Sequence, residues 1–381
     1  MNFRPFGKVG WEVSALGFGC MRLPTHDGNQ FGGNVVAAEA TGMIRRAIEQ
    51  GVNYLDTAYV YHDGQSEVVL GQALRDGYRA KVKVATKSPV WSIQKAADFD
   101  KFLDEQLRRL QTERIDFYLL HALNRQRWRD IILKCGVLKR ADAAVRSGRI
   151  SHLGFSFHDD FESLPEILDG YDRWAFCQLQ YNYMETERQA GTKGVQLAAA
   201  RGLAVVVMEP LLGGRLARPP ADVQQLLDRA PVQRSPADWA LQWLWDQPEV
   251  SVVLSGMSSL AQVEANLDSA RRSAACSFAP ADFKVIELLR QKYAQRMVIP
   301  CTQCRYCLPC PNGVNIPLNF QMYNDALLHD DLPGGRNLYR LFLEPNQQAG
   351  ACAACHNCEP LCPQQIPITD WMPKVHAALG A

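Results

Sequence analysis

Eight short runs rich in β-branched and aromatic residues punctuate the first two thirds of the chain: ALGF (15–18), NYL (53–55), VKVAT (82–86), IDFYLL (115–120), SHLGFS (151–156), FCQLQ (176–180), AVVVM (204–208) and SVVL (251–254). Segments with apolar residues at helical spacing lie between them, such as Met43, Ile44, Ala47 and Ile48, or Phe99, Phe102, Leu103, Leu107 and Leu110. Strands that alternate with helices pair in parallel, because each connection is long enough to cross over. Eight such units over roughly 250 residues is the count of a closed (β/α)8 barrel, a TIM barrel. The rival is an open doubly wound sheet, which normally carries a glycine-rich phosphate loop after its first strand. GFGCMRLP lacks both the third glycine and a helix directly following.

Gly51 and Gly202 stand where helices hand over to strands, as left-handed C-terminal caps. FRPFGKVGWEV carries a Gly-Lys-Val-Gly turn between two short alternating runs and is expected to form a hairpin that plugs one barrel end. Past the eighth unit, Phe283, Ile286, Leu288 and Leu289 mark a further helix. Composition then changes. Eight of the 12 cysteines fall between Cys301 and Cys362, and 10 of the 21 prolines lie from Met297 onward. A domain boundary is placed near residue 296, giving a barrel over 1–296 and a small, mostly helical domain over 297–381. With 41 basic and 40 acidic residues the net charge is +1, and no basic stripe is present to attract nucleic acid. No apolar run of about 18 residues predicts a membrane span. The start, MNFRPFGKVGWEV, has no secretory apolar core, so a cytoplasmic chain is expected.

Chemistry in a barrel of this type sits at the C-terminal ends of the strands. Asp56 follows NYL, with Tyr61 five residues on; Lys87 follows VKVAT; His121 follows IDFYLL. Taken singly, such residues are more often loop caps. Together they are an acid, a phenol, an amine and an imidazole on one rim. A tyrosine with an ordinary pKa near 10 needs a nearby cation to favour its phenolate, and Lys87 supplies one. Asp56 pairs with Lys87 and keeps the ammonium charged in a partly dry site, while His121 orients a substrate carbonyl. Such a set protonates an oxygen while another agent delivers hydride.

These residues resemble the aldo/keto reductase superfamily. The matching stretches are GVNYLDTAYVYHDGQSEVVLGQAL, VATK, RIDFYLLH, GFSFH, LQYNY, EPLLGGRL and SGMSSLAQVEANL, over essentially residues 3–275. The resemblance implies that Tyr61 is the general acid, Lys87 lowers its pKa, Asp56 holds Lys87 and His121 orients the carbonyl of an aldehyde or ketone. It implies NADPH or NADH across the barrel mouth, with Ser156 and Gln178 at the nicotinamide carboxamide, Leu211 and Gly213 at the pyrophosphate, and Gly256, Ser258 and Asn266 at the adenosine. Phe157, Met208 and Gln262 depart from the family's usual residues; in particular, Gln262 stands where an arginine often grips the 2′-phosphate. Tyr59, Trp91, Trp128, His158, Tyr181 and Tyr183 are candidates for lining the mouth, with loop packing an equal alternative for about half.

Cys301, Cys304, Cys307 and Cys310 form C-x2-C-x2-C-x2-C-P, and Cys352, Cys355, Cys358 and Cys362 form C-x2-C-x2-C-x3-C-P. Three closely spaced thiolates plus a fourth before proline favour a cubane iron–sulfur cluster over the paired knuckles of zinc. The segment resembles helical dicluster ferredoxins, since 41 residues including NFQMYNDALLHDD and RNLYRLFLEP separate the two runs. By that resemblance Cys301, Cys304, Cys307 and Cys362 hold one [4Fe-4S] cluster, and Cys352, Cys355, Cys358 and Cys310 the second. Cys20, Cys135, Cys177 and Cys276 are expected to be buried small hydrophobes. The whole resembles a branch of aldo/keto reductases with C-terminal 4Fe-4S motifs, acting on a small carbonyl compound and its alcohol and exchanging electrons with a redox partner. An electron-transfer protein whose barrel is a docking platform is the alternative, and clusters that only staple the tail are a third reading.

Overall fold

The computed structural model describes residues 1–28, 32–301 and 303–380. Two strands, β1 (Phe3–Pro5) and β2 (Glu12–Ser14), form an antiparallel hairpin. Eight more follow: β3 (Leu16–Gly19), β4 (Tyr54–Asp56), β5 (Lys83–Ser88), β6 (Ile115–Leu123), β7 (Ile150–Phe157), β8 (Phe176–Gln180), β9 (Ala204–Met208) and β10 (Val250–Gly256). They pair in parallel in chain order, and β10 returns to β3 to close the barrel. The eight runs thus become the eight staves, six of them shifted at their ends by one to three residues and two, FCQLQ and AVVVM, matching β8 and β9.

The hairpin acts as the expected plug. Phe6, in its turn, is fully buried among barrel residues including Tyr54, Phe117, Phe176, Val206 and Val252. Its ring centroid lies 4.6 Å from that of Phe117 and 5.7 Å from those of Tyr54 and Phe176. Gly51 (φ 97°) and Gly202 (φ 79°) end their helices in the left-handed geometry that only glycine adopts freely. Met43, Ile44, Ala47 and Ile48 face inward from helix Ala37–Glu49, as their spacing requires.

The chain divides into two compact units, one of residues 1–217 and 237–279 and the other of residues 218–236 and 280–381. In the second, helix Pro280–Ala294 buries Val285, Ile286, Leu289 and Tyr293, while Phe283 and Leu288 of the expected stripe face outward. Helices Ile316–Leu328 and Leu332–Phe342 form where the sequence suggested them, and Ile368–Leu379 adds a third. Their core gathers Ile299, Phe320, Tyr339, Leu343, Met372 and Val375. Tyr339 anchors it: its hydroxyl donates to Asn319 Oδ1 (2.8 Å) and accepts from the Ala349 amide (2.6 Å). Among the described residues, no helix is long and apolar enough to cross a membrane. Of the four scattered cysteines only Cys20 and Cys177 are buried; Cys135 is partly exposed and Cys276, at φ 51° in a loop, is exposed.

Candidate active site and cysteine-lined recesses

Asp56 is the last residue of β4 and Lys87 lies near the end of β5, so neighbouring strands present them side by side. Lys87 Nζ donates to Asp56 Oδ1 (2.5 Å), to the Thr57 carbonyl (2.8 Å) and to the Tyr61 hydroxyl (3.2 Å). All three ammonium protons are therefore used, which lets a lysine only 1% exposed remain charged. Tyr61 enters from the loop after β4, which turns sharply through His62 (φ 51°), Asp63 (φ 53°) and Gly64 (φ 85°). A Cβ on Gly64 would stand 2.9 Å from Arg109 Nη1, the same atom that donates to the Tyr59 carbonyl (2.9 Å). Arg109 is tied in turn to Glu67 (3.2 Å), which also accepts from Thr86 and Gln106 at 2.6 Å each. This buried network, absent from the sequence expectations, fixes the loop that carries Tyr61.

His121 sits inside β6 rather than just beyond it, because the strand continues to Leu123 through an irregularity at which Ala122 adopts φ 54°. The kink sets the His121 ring 6.1 Å from that of Tyr61 and 5.1 Å from that of Trp91. Burial drives the His121 imidazole well below its usual 6.5, aided by the charges of Lys87 and Arg127 and by His158. It is neutral at pH 7. Burial works against the Lys87 ammonium, but Asp56 and Tyr61 outweigh it and hold Lys87 above 10.5. For Tyr61, burial raises the phenol above 10 and Lys87 only partly offsets it. The expected lowering by Lys87 is present as one influence, but the net direction is upward because the ring is enclosed.

Ser156 and Gln178 end up on adjacent strands, β7 and β8, paired in register and both nearly inaccessible. Ser156 Oγ accepts from the Ala122 amide (2.7 Å), which leaves its own proton to donate. Gln178 Oε1 is buried and has no hydrogen-bond partner. An acceptor and a donor side by side suit a carboxamide. Leu211 and Gly213 (φ 68°) lie in the turn after β9, and Gly256 ends β10. Arg22, which the sequence reading passed over, runs between these two loops: a Cβ on Gly213 would lie 3.1 Å from its Nη2, and one on Gly256 3.2 Å from its Cγ and Cδ. Ser258 Oγ donates to the Arg22 carbonyl (2.8 Å), Gln262 Oε1 accepts from the Ser258 amide (2.8 Å) and Asn266 Nδ2 donates to Ser255 (2.9 Å). Gln262, Ser258 and Asn266 thus act at least as local supports. Of the mouth candidates, Trp128, Tyr181 and Tyr183 are buried packing residues, Tyr59 is bound to Glu105 (2.8 Å), and Trp91 and His158 keep exposed faces beside the site.

Cys301, Cys307, Cys310, Cys352, Cys358 and Cys362 pack against the core of the second unit, while Cys304 and Cys355 are exposed, and the eight cysteines line two recesses. One, narrow, is lined by Cys301, Cys304, Cys307 and Cys362. The other, of about 360 Å³, is lined by Cys310, Cys352, Cys355 and Cys358, and Cys307 lines both recesses. Each set draws on both runs. Burial raises the Cys301 thiol, with neighbours Cys362 and Cys304 adding to it; burial likewise pushes Cys358 up to about 11, with Cys352 and Cys310 contributing. Among the described residues, no three His, Cys, Asp or Glu side chains are gathered as a single metal ion needs. A cubane cluster has breadth of its own, so its thiolates surround a volume rather than a point, and the donor set of four soft thiols fits that group.

A sequence profile described as "Aldo/keto reductase family" matches residues 15–279. The chain is 25% identical over 297 residues to a probable aldo-keto reductase 1 of Glycine max, covering 68% of this chain and 82% of that one. It is 28% identical over 284 residues to a 6-dehydroglucose reductase of Novosphingobium aromaticivorans, covering 68% of this chain and 88% of that one. Among solved structures it is similar to the holo form of an aldo-keto reductase from Bacillus halodurans, at 26% identity and a TM-score of 0.62, covering 76% of this chain and 96% of that one.

Proposed function

The chain belongs to the aldo/keto reductase family and is an oxidoreductase, and from that premise we propose that it interconverts an aldehyde or ketone and its alcohol with Tyr61 as the proton donor and acceptor. The observation that carries this is the hydrogen bond from the Lys87 ammonium to the Tyr61 hydroxyl at 3.2 Å. A nicotinamide, NADPH or NADH, supplies hydride when bound. Ser156 and Gln178 would hold its carboxamide, Leu211, Gly213, Gly256, Ser258 and Asn266 would border its path, and Arg22, 3.8 Å from Glu209, would lie near its phosphates. Tyr61 keeps its proton at neutral pH because its pKa lies above 10, so it has one to give to the carbonyl oxygen. Lys87 then stabilises the phenolate left behind, and Asp56 keeps Lys87 charged. Neutral His121 orients the oxygen.

We place the barrel function in residues 1–296 and an iron–sulfur function in residues 297–381. Two [4Fe-4S] clusters would be held by Cys301, Cys304, Cys307 and Cys362 and by Cys352, Cys355, Cys358 and Cys310, a division that the two recesses support. They supply one-electron chemistry and so call for a redox partner protein, with the cytoplasm as a compartment that keeps these thiols reduced. A docking-platform barrel is disfavoured, because an inert platform gives no reason to keep a charged, buried lysine hydrogen-bonded to a partly exposed tyrosine.

The test is one anaerobic preparation of wild type and Tyr61→Phe, assayed for iron, sulfide, nicotinamide binding and aldehyde reduction. Both proteins should carry iron and sulfide and bind NADPH, and Tyr61→Phe should lose about 10²- to 10⁴-fold in kcat/KM. Undiminished reduction by Tyr61→Phe overturns the assignment of Tyr61, and absence of iron from anaerobic wild type overturns that of the clusters.

A further inference from the structure

Arg125, Arg127 and Arg129 follow one another in the helical turn after β6, and they do not behave alike. Arg125 and Arg129, four residues apart on one helical face, both reach Glu166, at 3.6 and 2.6 Å. Arg127 lies about 200° round the turn from Arg125 and points elsewhere. Its backbone is fixed by Asn124, whose Oδ1 accepts from the Arg127 amide at 2.7 Å. Its Nη1 donates to the Ala122 carbonyl (2.7 Å), at the kink beside His121, and its guanidinium carbon lies 5.4 Å from the centre of the Trp91 ring. Among the described residues no carboxylate pairs with it. Burial alone acts on this guanidinium, drawing its pKa down, with no anion to raise it again.

The surroundings sharpen the imbalance. Lys87 and Asp56 cancel as a buried pair. His121 is neutral, and although His158 keeps part of its surface in solvent, the crowding around it, followed by the charges of Arg127 and Lys87, pushes its imidazole down to about 4. Among the described residues, Arg127 is therefore a cation without an ion pair, lying over Trp91 and acting on His121. A guanidinium cannot shed its proton to escape partial burial, so a half-buried, unpaired one is costly unless an anion arrives with the substrate. It offers a planar fork suited to two oxygens at once.

Resting on Tyr61 as the reacting group, we infer that Arg127 is a specificity-determining residue that binds a carboxylate carried by the carbonyl substrate. Ring contacts run from Tyr61 to His121 (6.1 Å) and from His121 to Trp91 (5.1 Å), and the Arg127 guanidinium lies over the Trp91 ring (5.4 Å). The carboxylate is thus several atoms from the carbonyl rather than on the adjacent carbon, and the apolar spacer lies against Trp91. An aromatic or short-chain aldehyde acid is the substrate class.

Binding and turnover test this separately, using the full-length protein with NADP⁺ or NADPH bound. Benzoate and benzamide, alike in shape, are compared by calorimetry, and 4-carboxybenzaldehyde and 4-carbamoylbenzaldehyde by steady-state kinetics. Wild type should prefer the carboxylate member of each pair at least tenfold, about 1.4 kcal/mol. That preference should shrink to within about twofold in Arg127→Met and be partly restored in Arg127→Lys, which also serves as the reporter if the methionine variant does not fold. Equal binding of benzoate and benzamide to wild type, or an undiminished preference in either variant, overturns the inference. Preferential benzoate binding by a protein that reduces neither aldehyde supports the anion site and instead overturns the carbonyl reductase function.

Discussion

Replacing both members of the Lys87–Asp56 pair should harm stability far less than replacing either one. At 2.5 Å and an effective dielectric near 20, the attraction between the two charges is about 6–7 kcal/mol. Set against it are the desolvation costs of two ions that are only 1% and 2% exposed, each several kcal/mol, so the pair nets close to zero. In Asp56→Leu the ammonium keeps its desolvation cost and loses its anion; in Lys87→Met the carboxylate does the same. Each single variant should lose about 3–5 kcal/mol, whereas the double variant should lie between wild-type stability and about 4 kcal/mol above it. Denaturant unfolding followed by tryptophan emission reads this unit selectively, since seven of the eight tryptophans lie in it and only Trp371 lies in the other. The sign with pH follows from Lys87. Without Asp56 its folded pKa falls below 10.5, so the penalty in Asp56→Leu is full at neutral pH and is relieved as pH rises towards 10.5. A double variant that loses the sum of the two single losses would refute the reasoning, because the pair would then stabilise the barrel in its own right. If the prediction holds, these charges are retained for the chemistry of Tyr61.

The pH profile of kcat/KM should be flat between about pH 6 and 9, because His121 is held neutral well below 6.5 and Tyr61 keeps its proton above 10; activity should decline only as Tyr61 ionises. A break near pH 6.5 that disappears in His121→Asn would contradict this. Phe6→Ala removes the ring that plugs the barrel and should cost about 3–5 kcal/mol in the same unfolding assay, with a loss below 1 kcal/mol indicating that the hairpin is dispensable.

Much of this architecture is legible in the sequence because parallel strands buried on both sides leave continuous apolar runs. FCQLQ and AVVVM coincide with β8 and β9 to the residue. Asp56 and Lys87 are equally legible, since polar residues closing such runs have few other reasons to be there. His121 is misplaced by its run because the irregularity at Ala122 leaves no mark in composition. The upward shift of Tyr61 is invisible for another reason: spacing reports that a cation is near, but not how completely the ring is enclosed. Arg127 hides among Arg125 and Arg129, where three arginines read as a solvated turn until Glu166 is seen to take two of them. Arg22, and the Arg109–Glu67–Gln106 network under the Tyr61 loop, join residues distant in sequence, and no local pattern records them.

The crossing of the two cysteine runs has a consequence in time. The last barrel strand is complete at Gly256, but the recess holding Cys301, Cys304 and Cys307 gains its fourth thiol only when Cys362 is made. Those 106 further residues (362 − 256) take about 5–20 s at ordinary synthesis rates. During that interval the barrel can close and the first thiols exist without their set. If this recess takes the proposed cluster, its loading would therefore follow the synthesis of Cys362, and the three early cysteines would have to be kept from oxidising until then.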